Sequence, residues 1–211
     1  MLGENGSWYG NDDLINYFWS GVLYESLLRT EGKYLSYFWN NTAASNVWSE
    51  SNLNTINLNT NYLNNIGDTW SNKIINHKWQ VKGNTYQNLV GNPKNVYQNE
   101  IKNFDSSTEY VAKVGLMYVS DYLFAVDKKY WSSVYSSVFH YNWWVDPGVG
   151  ELLITPQSDT SNRVMSVVQG SFTDWYQTNV NPNMIRPTFY LIDSIKLLDG
   201  DGTKENPYRL D

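Results

Sequence analysis

Cysteine is absent from this 211-residue chain. That removes disulfides, thiolate metal sites and cysteine nucleophiles together. Histidine is nearly absent: His77 and His140 are the two in the chain, and neither lies in an H-E-x-x-H or H-x-H spacing. Both read as structural or surface residues, and no metal or other cofactor is expected. Charge is scarce, at 17% of residues, and it leans acidic, with 15 Lys and Arg against 21 Asp and Glu for a net charge of -6. No basic stripe exists to neutralise phosphates, so nucleic acid is not an expected partner. The same balance argues against direct membrane binding by this segment. No stretch reads as a signal peptide or a spanning helix, and G-x-S-x-G, Walker A and G-x-G-x-x-G motifs are lacking. The polar, turn-like opening "MLGENGSWYG" fits a cytosolic chain or part of a longer precursor.

Aromatics and amides are abundant. The chain carries 10 Trp and 17 Tyr, enough apolar area to offset the entropy of ordering. Leu14, Phe18, Val22 and Leu23 recur at helical spacing. Leu53, Ile56, Leu63, Ile66 and Trp70 share a second helical face, with Ser49 or Ser51 as its cap. Gly67-Asp68 breaks that face, and Trp70, Ile74 and His77 suggest a second short helix behind it. "KWQVKG" reads as a short strand. Residues 84–108 read as a polar surface insertion, helical around Val90 to Ile101. "YVAKVGLMYVS" (Tyr110 to Ser120) is one buried strand, followed by a helix from "DYLFAV". "GELLITP", "RVMSVVQ", "SFTDWYQ" and "IRPTFYLI" follow as antiparallel strands. Helices first and a sheet later make an α+β fold, read here as a single domain over residues 1–211.

Asp199-Gly-Asp-Gly-Thr resembles the start of a calcium loop but lacks the later ligand positions of an EF-hand. Glycine conformational freedom and aspartate side-chain hydrogen bonds explain it as a turn. Carboxylates available for two-carboxylate hydrolysis are Glu50, Glu109, Asp121, Asp146, Glu151 and Asp174, with nothing in the sequence to pair any two. The tryptophans are mostly assigned to the core. The amides of "HYNWWVD" and "TDWYQTNVNPN" are placed at the surface, because an amide is costly to bury unpaired.

Six segments in order carry a resemblance. They are "WSESNL" with "YLNNI", "KVGLMYVSDYLFA", "NWW", "LLITPQSDTSNRVMSVVQGSF", "IRPTFYL" and "GDGTKENPYRL". Together they resemble secreted or pilin-like surface proteins of low-GC Gram-positive bacteria, and more remotely the C-type-lectin-like superfamily. Met184 stands where the pattern has glycine, and Thr155-Pro156 replaces its Ser-Pro. The resemblance implies a C-type-lectin-like fold, helices flanking twisted antiparallel sheet, with the tail closing the domain. It implies display outside the cell, with an export or pilin segment missing from this chain. The enzyme branches of that superfamily use a cysteine pair or a histidine cluster, which this chain lacks, so a non-enzyme is expected.

The resulting expectation is a recognition or adhesion domain for a glycan or protein ligand on another cell or on a phage. The candidate contacts are Asn142, Trp143, Ser158, Asp159, Asn162, Gln169, Ser171, Thr173, Asp174, Tyr176 and Asn179. Aromatic anchors would be ringed by amide hydrogen bonds. The alternatives are a structural subunit or tip domain of a pilus-like appendage, which allows a homo-oligomer, and a carboxylate-dependent hydrolase.

Overall fold

The computed structural model describes residues 29–30, 33–34, 37–89, 93–103, 106–125, 151–168, 171–180, 183–201, 206 and 208–211. The helix expected from Leu14 to Leu23 lies outside them. Strands β1 (Arg29–Thr30) and β2 (Lys33–Tyr34) form a short antiparallel pair.

The next helical stretch starts at one of the two expected caps. The Ser51 hydroxyl accepts the Asn54 amide at 3.0 Å, satisfying one of the donors a helix start leaves open. Helix α1 (Leu53–Tyr62) is wound wider than an ordinary α-helix and runs into α2 (Leu63–Ser71). Side chains follow the wide winding: Thr60 Oγ1 donates to the Thr55 carbonyl at 2.7 Å and Asn59 Nδ2 to the Asn54 carbonyl at 3.3 Å. Gly67, at φ +77°, kinks α2 where the sequence placed a break.

Beyond Ser71 the expectation of a second helical face fails. Ile74 bridges Leu191, and His77 opens strand β3 (His77–Gln80). The extended chain has partners a helix could not reach: Ile75 N–H donates to Tyr190 C=O at 2.9 Å, and β3 pairs antiparallel with β4 (Glu109–Ala112). The described part of residues 84–108 is not a surface insertion either. Pro93 opens helix α3 (Pro93–Tyr97), its missing N–H costing nothing at that position. Helix α4 (Gln98–Lys102) follows, and Val96 and Glu100 are buried.

The single strand expected from Tyr110 to Ser120 is two strands and the start of a helix. β4 ends at Ala112, β5 (Val114–Leu116) pairs antiparallel with β9 (Pro187–Phe189), and α5 (Val119–Phe124) follows. Between β4 and β5, Lys113 Nζ reaches the Ser71 carbonyl at 2.5 Å. β6 (Glu151–Pro156), β7 (Arg163–Val168) and β8 (Ser171–Gln177) form the three-stranded antiparallel sheet the sequence suggested.

Residues 183–192 form the seam that joins these parts. Asn183 pairs with Tyr37, Leu152 N–H donates to Met184 C=O at 2.9 Å, β9 lies on β5, and Ile192 N–H donates to Lys73 C=O at 2.8 Å. Arg186, in the same segment, meets Glu151 at 3.0 Å in a buried ion pair, and Tyr122 donates its hydroxyl to that carboxylate. Such a pair specifies position more than it stabilises, but removing one partner strands the other charge.

The core beneath the seam is aromatic and aliphatic. Trp39 meets Trp48 edge-on at 4.8 Å, and Leu53, Leu58, Ile66, Leu152, Ile154 and Ile185 fill around them. Trp79 closes one side. Its indole N–H donates to Ala112 C=O at 3.1 Å, and its ring lies so close to Gly115 that a Cβ there would meet three ring atoms at 2.8 Å.

The chain end is a hairpin. β10 (Leu197–Asp199) pairs with β11 (Arg209–Leu210), and Gly200 turns at φ +99°. Asp199 takes a two-pronged ion pair from Arg209, whose hydrogen bonds hold its carboxyl below the usual range. That favours a turn over a calcium loop. The described residues are thus α+β, with short helices among small antiparallel sheets.

Gly115→Ala should lower stability by roughly 1–3 kcal/mol, because the methyl must displace a fully packed indole. Urea unfolding followed by tryptophan fluorescence measures this; an unchanged midpoint contradicts the packing described.

Candidate functional site

A concavity of about 550 Å³ sits where β3, β5, β9, α3, α4 and α5 meet. Trp79 comes from β3, Tyr97 and Ile101 from the α3–α4 run, Leu116 to Tyr118 from the end of β5, and Ser120, Asp121 and Phe124 from α5. Thr188, Phe189 and Tyr190 complete it from β9 and the residue after it. The β5–β9 register, Leu116 opposite Pro187, brings two segments about 70 residues apart to one wall.

The rings are held by one another and by backbone contacts. Tyr118 stays buried and its phenol oxygen accepts the Gln80 amide at 2.9 Å. Tyr97 and Phe124 meet edge-on at 5.7 Å. Tyr190 stacks on His77 at 4.0 Å and tilts against Trp79 at 5.9 Å. Burial holds the His77 imidazole below its ordinary pKa, favouring the neutral ring. Phe124 and Tyr190 are about half exposed, at 51% and 49%, while lining the cavity, so their rings can meet a ligand.

One carboxylate lines this cavity among the described residues, that of Asp121. It accepts the Tyr118 amide at 2.8 Å, which caps α5 and fixes its position. Behind Ser120 lies Glu100, buried, accepting the Thr155 hydroxyl at 2.5 Å and the Ser120 amide at 2.9 Å. Burial pushes its carboxyl up to about 7, against the opposing pull of those hydrogen bonds.

The sequence-predicted contacts divide into groups. Ser158, Asp159 and Asn162 lie between β6 and β7, and Asn179 in the turn after β8, at the same end of the sheet, where Thr178 N–H donates to Asn162 C=O at 3.0 Å. Ser171 pairs with Val168 at the opposite end, and Thr173, Asp174 and Tyr176 run along β8 between. Asn142, Trp143 and Gln169 lie outside the described residues. Ser158 lines a second cavity, of about 310 Å³, with Asn46, Trp48 and Lys82. Asn46 is committed there: its Nδ2 lies 2.8–3.0 Å from the carbonyls of Gln157, Thr160 and Arg163.

Asn183 corrects the expectation that the amides of its segment face solvent, since it is buried at 8% exposure beside Tyr37. Backbone pairing in the seam holds it inside. The aromatic cavity itself was missed because its rings come from five short segments that read as core when taken singly. Of the six sequence-named carboxylates, Glu50 sits near Ser45 at 3.5 Å, Glu109 pairs with Lys78 at 3.1 Å, Glu151 with Arg186 at 3.0 Å, and Asp121 caps α5. Asp174 lies on β8, and Asp146 is outside the described residues. Among the described residues no group of three or more histidine, aspartate or glutamate side chains could hold a metal ion.

Glu100 makes a pH test of this region. Its folded pKa lies above the ordinary carboxyl value, so the folded state binds more protons between pH 4.5 and about 7. Its contribution is complete below pH 4.5 and is lost as pH rises through 7, by up to roughly 3 kcal/mol. Glu100→Gln should flatten that dependence in denaturant titrations at pH 4.5, 6 and 7.5, and parallel profiles would remove Glu100 from the account. No protein-family model matches the chain, and no curated protein or solved structure matches it.

Proposed function

We propose that this chain is a non-catalytic recognition or adhesion domain, displayed at a cell surface, that binds a glycan or protein ligand through exposed aromatic rings. The observation that carries this is the cavity with Phe124 and Tyr190 half exposed over buried Trp79 and Tyr118. Rings of this kind give large contact area at low entropy cost, and their faces suit ligand C–H groups and cations. A single lining carboxylate among the described residues favours binding over hydrolysis by a carboxylate pair. On this reading the ligand meets the cavity between β5, β9 and α5, and the contacts proposed from the sequence form a separate candidate surface.

The C-type-lectin-like arrangement and the kinship with Gram-positive surface proteins belong to the same proposal. Two of the resembling segments are strand neighbours: Val114 of "KVGLMY" lies opposite Phe189 of "IRPTFYL". Phe124→Ala and Tyr190→Ala should each weaken binding to the glycan or cell surface recognised by the unaltered chain by about tenfold, the loss of one well-placed ring. A glycan array and a cell-binding assay measure this. Unchanged binding by a folded double variant overturns the site.

One observation favours a structural subunit as the second reading. The terminal hairpin exposes Leu197, Leu198, Tyr208 and Leu210, apolar side chains of a kind that subunit contacts cover. On that reading the chain self-associates, and Leu198→Lys shifts sedimentation toward the monomer. A monomer at every concentration, with or without the substitution, removes it.

A further inference from the structure

We infer that the aromatic cavity binds an organic cation, specifically a methylated ammonium group, with Asp121 as its counter-charge. This rests on the recognition reading above and names the chemistry of the ligand at that site.

Six aromatic rings line the cavity, and the lining among the described residues has no Lys, Arg, His, Asn or Gln. A sugar site needs donors and acceptors placed around the hydroxyls as well as a ring to stack on; this lining offers hydroxyls and one carboxylate but none of the side-chain amides or guanidinium groups that fork onto paired sugar hydroxyls. An ammonium head needs ring faces and a compensating negative charge, and both are present. The negative face of an aromatic ring attracts a cation within about 6 Å of its centroid, most strongly where water is excluded. The molecule already shows this at the edge of the site: the Lys102 ammonium lies 5.9 Å from the Tyr97 centroid.

Charge complementarity points the same way. Asp121 is the lining carboxylate, and its place is fixed because it also caps α5 through the Tyr118 amide at 2.8 Å. His77, stacked on Tyr190, is held toward its neutral form, so it does not oppose a bound cation. The nearby Arg186 is engaged with Glu151 at 3.0 Å, and the Lys102 ammonium lies on Tyr97, which leaves the other five rings to a ligand. The net charge of -6 favours a cationic ligand at longer range.

Methylation follows from the walls, half of whose side chains are ring or aliphatic groups without an oxygen acceptor. A primary ammonium carries three N–H donors, each of which loses water on entry and needs a replacement. Asp121, which already accepts one amide, and the lining hydroxyls can meet some of those donors, but Trp79, Ile101, Leu116, Phe124 and Phe189 offer no side-chain acceptor. N-methyl groups need no acceptor and pack directly on Phe124, Phe189 and Tyr190.

The test is a titration of the whole chain with choline, with its uncharged isostere 3,3-dimethylbutan-1-ol and with ethanolamine, followed by isothermal calorimetry and by indole NMR shifts. Choline should bind saturably, with the isostere and ethanolamine each weaker by at least about tenfold. Asp121→Asn keeps an oxygen for the Tyr118 amide and should weaken choline by about tenfold while leaving the isostere unchanged. Phe124→Leu, at a half-exposed position, should weaken choline without unfolding the chain. Equal binding of choline and its isostere, or choline binding indifferent to Asp121→Asn, overturns the inference. A set of methyl glycosides runs in parallel: glycoside binding lost in Tyr190→Ala with no choline binding overturns the cation assignment and leaves the recognition reading standing. Absence of both, with cell-surface binding unchanged in Phe124→Ala/Tyr190→Ala, removes both.

Discussion

The contact on which most of this structure depends is the Trp79 indole laid against Gly115. Nothing larger than glycine fits beneath the ring. That fit sets the distance between β3 and β5 and thereby the join of two small sheets. The indole N–H, bonded to Ala112 C=O, fixes the ring's rotation. Asn59 of α1 secures β5 from another direction: its Nδ2 donates to Val114 C=O and its Oδ1 accepts Val114 N–H, both at 2.9 Å. One side-chain amide thus acts as a short piece of neighbouring strand. β5 is held by β9, by an indole and by an amide, and the aromatic cavity begins at its end.

The use of amides in place of backbone extends further. Asn84 is buried and accepts the Thr85 amide and the side chains of Asn88 and Asn99 on one oxygen, while donating to Val96 C=O at 3.2 Å. Asn40 organises the loop after Trp39 by accepting both the amide and the hydroxyl of Thr42. Strands this short satisfy few backbone groups by pairing, and each buried N–H or C=O left open carries a cost. Asparagine carries a donor and an acceptor of the same kind on a short stem. Its abundance here, at these positions, serves the interior.

Charge is likewise kept inside and close to the cavity. Glu100 stands behind Ser120, and the Glu151–Arg186 pair joins β6 to the seam beside Tyr122. Ser120, Asp121 and Tyr122 are consecutive on α5, so one short helix touches a buried acid, the cavity and a buried ion pair. A shift of α5 would therefore disturb all three, which ties the geometry of the cavity wall to the core. Phe124, at the end of the same helix, carries an exposed ring from a rigid base. A preorganised ring loses less freedom when a ligand arrives.

Composition and periodicity determined a good deal alone. The absence of cysteine and the sparse, isolated histidines excluded thiol and histidine-cluster chemistry. The runs after Gly150, punctuated by turn residues, marked β6, β7 and β8, and Gly67 and Gly200 marked a kink and a turn that need positive φ. Local rules suffice there, because turn punctuation and glycine conformation are properties of neighbouring residues. Tertiary structure alone decided that Ile74 and His77 are extended, that residues 109–116 serve two sheets, and that Asn183 is buried. It also decided that Trp79, Tyr97, Tyr118, Phe124, Phe189 and Tyr190 face one space. Each outcome depends on a partner far along the chain, and no window of neighbouring residues contains both members of such a pair.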